Sequence, residues 1–170
     1  MLKRLAAGFA APWIIAAPRA RAAAPRGISF QHTHTGEALS LTYAVGDEYL
    51  PQALRALDHL LRDHRTHAVH PMDPALLDQL HRLAEITGTR SPFQIISGYR
   101  DPRTNAMLRS RSGGVARHSL HLEGRAVDVR LADVPLPDLR DAALSLKAGG
   151  VGFYRESNFV HLDTGRVRHW

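Results

Sequence analysis

The segment HSLHLEGRAVD, residues 118–128, sets an imidazole, His121, and a carboxylate, Asp128, on either side of Gly124. A second segment, NFVHLDT, residues 158–164, carries His161 and Asp163. Two imidazoles and one carboxylate form the donor set of a catalytic zinc with a position left for water; such an ion acidifies the water and polarises a carbonyl. The same residue types also serve as ordinary hydrogen-bonded side chains on strands, and spacing across separate segments does not by itself bring three donors to one point. What these residues can do depends on the elements that carry them.

In RAVDVRL, strand alternation sends Val127, Val129 and Leu131 to one face and Ala126, Asp128 and Arg130 to the other. The same arithmetic in NFVHLDT turns Val160 and Leu162 inward and puts Phe159, His161 and Asp163 together on the opposite face. Were the two strands neighbours, both would offer polar groups to a common side. His121 would join them from the preceding loop, with Gly124 permitting a tight bend. Upstream, FQIISGYRDPRTNAML reads as a strand that breaks at Gly98 and presents Tyr99, Arg100 and Arg103 beyond its end. Asp101 can cap a helix that starts at Pro102. The polar, glycine-rich RSRSGGVAR then predicts a mobile loop leading into the His121 motif.

Nearer the N-terminus, ISFQHTHTGEALSLTYAV predicts a hairpin with Gly36 in its turn. His32 and His34 alternate onto one exposed face there, a pair read as solvated in preference to metal-binding. LPQALRALDHLLRDHR predicts a helix entered at Pro51, with Leu54, Leu57, Leu60 and Leu61 at helical spacing. DPALLDQLHRLAEITG predicts another, capped by Asp73, opened by Pro74, striped by Leu76, Leu77, Leu80 and Leu83, and ended by Gly88. His59, His64, His67, His70 and His81 share no ligand spacing and read as surface or interface residues.

A chain of 170 residues holds one domain with one core, here expected over residues 28–170. Residues 1–22 read as an export signal: basic MLKR, the short apolar LAAGFAAPWIIAA and the small-residue site ARA. The apolar part is too short for a resident span, so stable membrane insertion is not expected once the signal is removed. Lys3 and Arg4 do not make a true twin-arginine pair, which leaves the Sec and twin-arginine routes open. With no cysteine, disulfides and lipid-modified cysteines are excluded. The net charge of +6 suits a polyanionic partner in general. Nucleic acid is disfavoured, because no aromatic stacking series accompanies the arginines and export removes the chain from the cytoplasm.

SLHLEGRAVD also matches, at Ser119, His121, Gly124, Ala126 and Asp128, the SxHxxGxAxD signature of the zinc peptidases that group lysostaphin, the D-alanyl-D-alanine carboxypeptidases and the hedgehog fold. Taken with IISGYRDPRTNAML, LRDAALSLKAGGVGFY and NFVHLDTGRVRHW, the chain resembles the murein endopeptidase K family over most of residues 28–170. That resemblance implies a small α+β domain, an antiparallel sheet flanked by helices, with a zinc ion held by His121, Asp128 and His161. It implies metal-assisted hydrolysis of peptidoglycan stem-peptide crosslinks in the periplasm, with Arg100 holding a substrate carboxylate. The alternatives within the group are a D-alanyl-D-alanine carboxypeptidase and a non-catalytic, zinc-stabilised cell-wall or protein-binding module. One departure concerns the general base. The carboxypeptidases carry ExWH, whereas Asn158 stands in place of the glutamate, and the HxH of the lysostaphin type has Phe159 for its first histidine. Asp163 is therefore the expected base, with His118 and Glu156 behind it.

Overall fold

The alternating segments pair as their patterns predict. In a computed structural model that describes residues 24–111 and 116–170, β1 (Pro25–His32) and β2 (Ala38–Val45) form the antiparallel N-terminal hairpin. Gly36 sits in the turn with φ +76°. The expected export signal lies outside the described residues, as do positions 112–115 of the glycine-rich stretch, while Arg109–Arg111 of that stretch finish a helix.

The remaining strands are β3 (Glu48–Tyr49), β4 (Phe93–Ser97), β5 (Ala126–Arg130), β6 (Gly150–Tyr154), β7 (Phe159–Asp163) and β8 (Arg168–His169). Among the described residues all eight strands join one sheet in the order β3-β2-β1-β4-β5-β7-β6-β8. The α+β class is as expected, but the sheet is large and mixed where a small antiparallel one was predicted. β1 pairs with β4, and β6 with β8, in parallel. The reason is connectivity: between β1 and β4 the chain passes through β2, β3 and the helices α1 (Pro51–Leu60) and α2 (Pro74–Thr87), a connection long enough to return it in the same direction, whereas β8 follows β7, which is antiparallel to β6, and so runs with β6.

Helix α2 follows its sequence signals closely. The Asp73 carboxylate accepts from the Ala75 amide, Pro74 occupies the first turn, and Gly88 ends the helix in the left-handed conformation. Leu76, Leu77, Leu80 and Leu83 are buried in the core with Val127, Val129, Val160 and Leu162 from β5 and β7. Truncating any one of these leucines to alanine costs about 2–5 kcal/mol. This apolar packing holds one face of the two central strands, so their alternate residues are directed to the other.

His32 departs from its expected place. It closes β1 with its ring fully buried, at 0% exposure, and Nδ1 accepts from the amides of His34 and Thr35. His34 lies in the turn and stacks on His64, with ring centroids 4.1 Å apart. The turn curls over the strand end, which alternation alone does not encode, and makes His32 a structural clasp.

Candidate metal centre

β5 and β7 are antiparallel neighbours, in a register that sets Asp128 directly opposite His161. His121 arrives from the single 3₁₀ turn Leu120–Glu123, which ends at Gly124 with φ +65°. A β-carbon at Gly124 would fall 2.2 Å from the Pro71 carbonyl oxygen, so both the bend and the close approach require glycine. All three side chains are buried and converge on one point.

The donor atoms form a triangle. His161 Nδ1 lies 2.9 Å from Asp128 Oδ1 and 3.2 Å from His121 Nε2, and the third side, His121 Nε2 to Asp128 Oδ1, is 3.3 Å. A tetrahedral ion with nitrogen and oxygen ligands at about 2.0–2.1 Å holds them about 3.3–3.4 Å apart. The triangle therefore fits a metal ion with little adjustment. The outward sides of both rings are tied down as well. His121 Nδ1 bonds the Gly98 carbonyl at 2.7 Å, and His161 Nε2 bonds Asp163 Oδ2 at 3.0 Å. Each bond uses one nitrogen as donor and turns the other toward the triangle, where it can ligate an ion once it carries no proton.

Electrostatics follow from burial and partners. Burial pushes the His121 imidazolium down, against the pull of Asp128. For Asp128, burial opposes ionisation, but the charge and hydrogen bonds of His121 and His161 outweigh it and hold the carboxyl below its ordinary range. Burial likewise opposes a charge on His161, yet Asp128 on one nitrogen and Asp163 on the other raise its pKa to about 9.

Asp163 is at 0% exposure and sits behind His161, on the ring nitrogen turned away from the triangle. Its oxygens also accept from the amides of Gly150 and Gly165 and pair with Arg168 at 2.7 and 3.0 Å. Alternation placed it on the correct face. Register and the turn that follows aim its carboxylate at His161 and Arg168, so it does not reach the open side of the triangle where a base would act.

Arg100 reaches the same site from beyond β4. Its backbone amide donates to the His121 carbonyl at 3.0 Å, which ties it to the same turn as the ligand. The guanidinium lies 3.7 Å from the second Asp128 oxygen, with its side chain 11% exposed. Among the described residues it makes two long hydrogen bonds, to Asn105 and Ser97 at 3.4 Å each, and its buried Nε has no partner there. Most of its donor fork is thus uncommitted. Arg103 instead pairs with Asp101, and Arg125 with Glu123 and Thr164; neither lines the site.

An open cavity of about 480 Å³ lies over the triangle, bordered among others by Arg100, His118, Ser119, Tyr154, Phe159 and Trp170. His118 is present there; Glu156 is not among the bordering residues. Sequence reasoning missed Arg168, Tyr154 and Trp170, although VRHW closes the motif segment. Strand periodicity carries no signal for Arg168 and Trp170, because the chain turns after Asp163 and returns as β8 beside β6, and it does not tell that the end of β6, with Tyr154, borders the cavity.

Comparison with known proteins matches residues 20–170 to the family model described as "Peptidoglycan L,D-endopeptidase MepK". The chain is 47% identical to the peptidoglycan L,D-endopeptidase MepK of Escherichia coli strain K12 over 146 residues, covering 86% of this chain and 80% of the relative. It is 45% identical over 147 residues to the probable peptidoglycan L,D-endopeptidase MepK of Haemophilus influenzae, covering 86% and 79% respectively.

Proposed function

The chain belongs to the peptidoglycan L,D-endopeptidase MepK family, a peptidase acting on peptidoglycan, and on that premise we propose that zinc held by His121, Asp128 and His161 serves its cleavage of L,D crosslinks between stem peptides in the periplasm. The observation that carries the reading is the donor triangle with both imidazoles tied back so that their inner nitrogens meet Asp128 at one point. When bound, zinc supplies a water acidified to a pKa of about 7 and positive charge for the amide oxygen. Asp163 is a positioning residue: it fixes the His161 ring and tautomer. His118, the one imidazole among the described residues that borders the cavity outside the triangle, is the proton acceptor.

Arg100 supplies recognition. In a crosslink between two diaminopimelate residues, the D-centre that gives the amine also bears a free carboxylate beside the scissile bond. The uncommitted fork of Arg100 can grip it bidentately, which a lysine cannot. The basic and apolar pattern of residues 1–22 would deliver the chain to this substrate.

Purified protein incubated with sacculi tests the reading. Crosslinked muropeptide dimers should fall and monomers rise, and both changes should stop with a chelator or in a His121→Ala, His161→Ala variant that has lost its zinc. Release of terminal D-alanine alone, or an unchanged muropeptide profile, would refute it.

A further inference from the structure

The cavity has two unlike flanks. Arg100 stands beside Asp128, while Trp170, Tyr154 and Phe159 form an aromatic wall beside His161. Trp170 is 50% exposed yet closely held. Its indole N–H donates to Tyr154 Oη at 2.9 Å, its backbone N–H donates to Val151 at 3.3 Å, and its carbonyl accepts from Phe153 at 3.0 Å. The Arg168 guanidinium lies 5.0 Å from its ring centroid.

Beneath the ring is Gly152, where a β-carbon would come within 2.7 Å of the indole. Gly152 is the β6 residue paired with His161 on β7, and that close approach sets the indole 5.3 Å from the His161 imidazole. A large apolar ring left half in water gains only part of its burial energy. Fixing it there from several sides, against a cavity, is the arrangement of a rigid recognition surface with low ordering cost.

A substrate amide placed over the triangle must straddle both flanks. With the carboxylate of the amine-donating residue on Arg100, the residue that donates the scissile carbonyl falls on the aromatic side. The structure assigns Trp170 as the contact that selects the aliphatic side chain of that acyl residue. In diaminopimelate this is a run of methylenes, which suits an aromatic face. The assignment rests on the zinc endopeptidase reading above.

Trp170 can be watched directly, because the chain has two tryptophans, Trp13 and Trp170. In a metal-loaded Trp13→Phe protein, a stem tripeptide ending in diaminopimelate should change the emission of Trp170, with a midpoint that tracks its inhibition of cleavage. With a diaminopimelate-linked muropeptide dimer as substrate, Trp170→Ala should raise KM roughly tenfold or more while kcat changes little, and Trp170→Phe should recover most of the loss. A merely structural role would instead lower thermal stability and leave KM unchanged in the folded fraction. Normal cleavage by the Trp13→Phe protein with emission indifferent to the tripeptide would overturn the assignment and leave the endopeptidase reading standing. No cleavage of the dimer would overturn both.

Discussion

Metal binding should drive one proton off His161. In the metal-free site that ring faces Asp128 through Nδ1 and Asp163 through Nε2, so the imidazolium donates to two carboxylates and its pKa stands at about 9. An ion can take Nδ1 only by displacing the Nδ1 proton. Asp128 is already ionised and His121 already neutral at pH 7, since their pKa values are shifted down. The displacement therefore involves close to one proton. About two units separate pH 7 from the His161 value, so the apparent metal affinity at pH 7 should lie roughly 100-fold below its plateau. Chelator competition across pH 6–10 should show affinity rising close to tenfold per unit and levelling near pH 9. Calorimetry at pH 7 in buffers of different ionisation enthalpy should show near one proton released. The metal-free fold should carry the complementary signature. A raised histidine pKa stabilises fully below the unfolded value of about 6.5, and that stabilisation fades as pH climbs through about 9. An affinity that is flat from pH 7 to 9, with no proton released, would refute the reasoning.

Asp163→Asn should lower metal affinity about 10- to 100-fold and reduce the unfolding temperature, because a buried acceptor for His161 and Arg168 is lost. Full metal occupancy and native stability, with a rate 10²- to 10⁴-fold lower, would instead make Asp163 the base; that outcome, roughly the contribution of a general base, is expected of His118→Gln. Arg100→Lys should keep full metal occupancy by elemental analysis while kcat/KM on crosslinked dimers falls about 10- to 100-fold, in line with the ~1.5–3 kcal/mol of a hydrogen bond to a charged group. Loss of metal in that variant would assign Arg100 to holding Asp128 and not to substrate.

The local features were legible because they rest on short-range rules. Asp73, Pro74 and Gly88 bound α2 by capping chemistry that acts within a single turn. Alternation in RAVDVRL and NFVHLDT correctly separated the core valines and leucines from Asp128, His161 and Asp163. The same alternation misjudged His32, since whether a strand-end ring meets water depends on what folds over it. The extent of the sheet was also hidden, because β3 and β8 are two residues each, too short to show a period.

The sequence by itself determined which residues could ligate a metal, which face of each strand they occupy, and, through its motifs, the family they resemble. Tertiary structure decided where those residues stand relative to one another. Strand register, a long-range property, set Asp128 against His161. The return of the chain as β8 brought Arg168 to Asp163 and Trp170 over Gly152. No local pattern encodes such approaches, because they depend on which distant segments the core packs side by side.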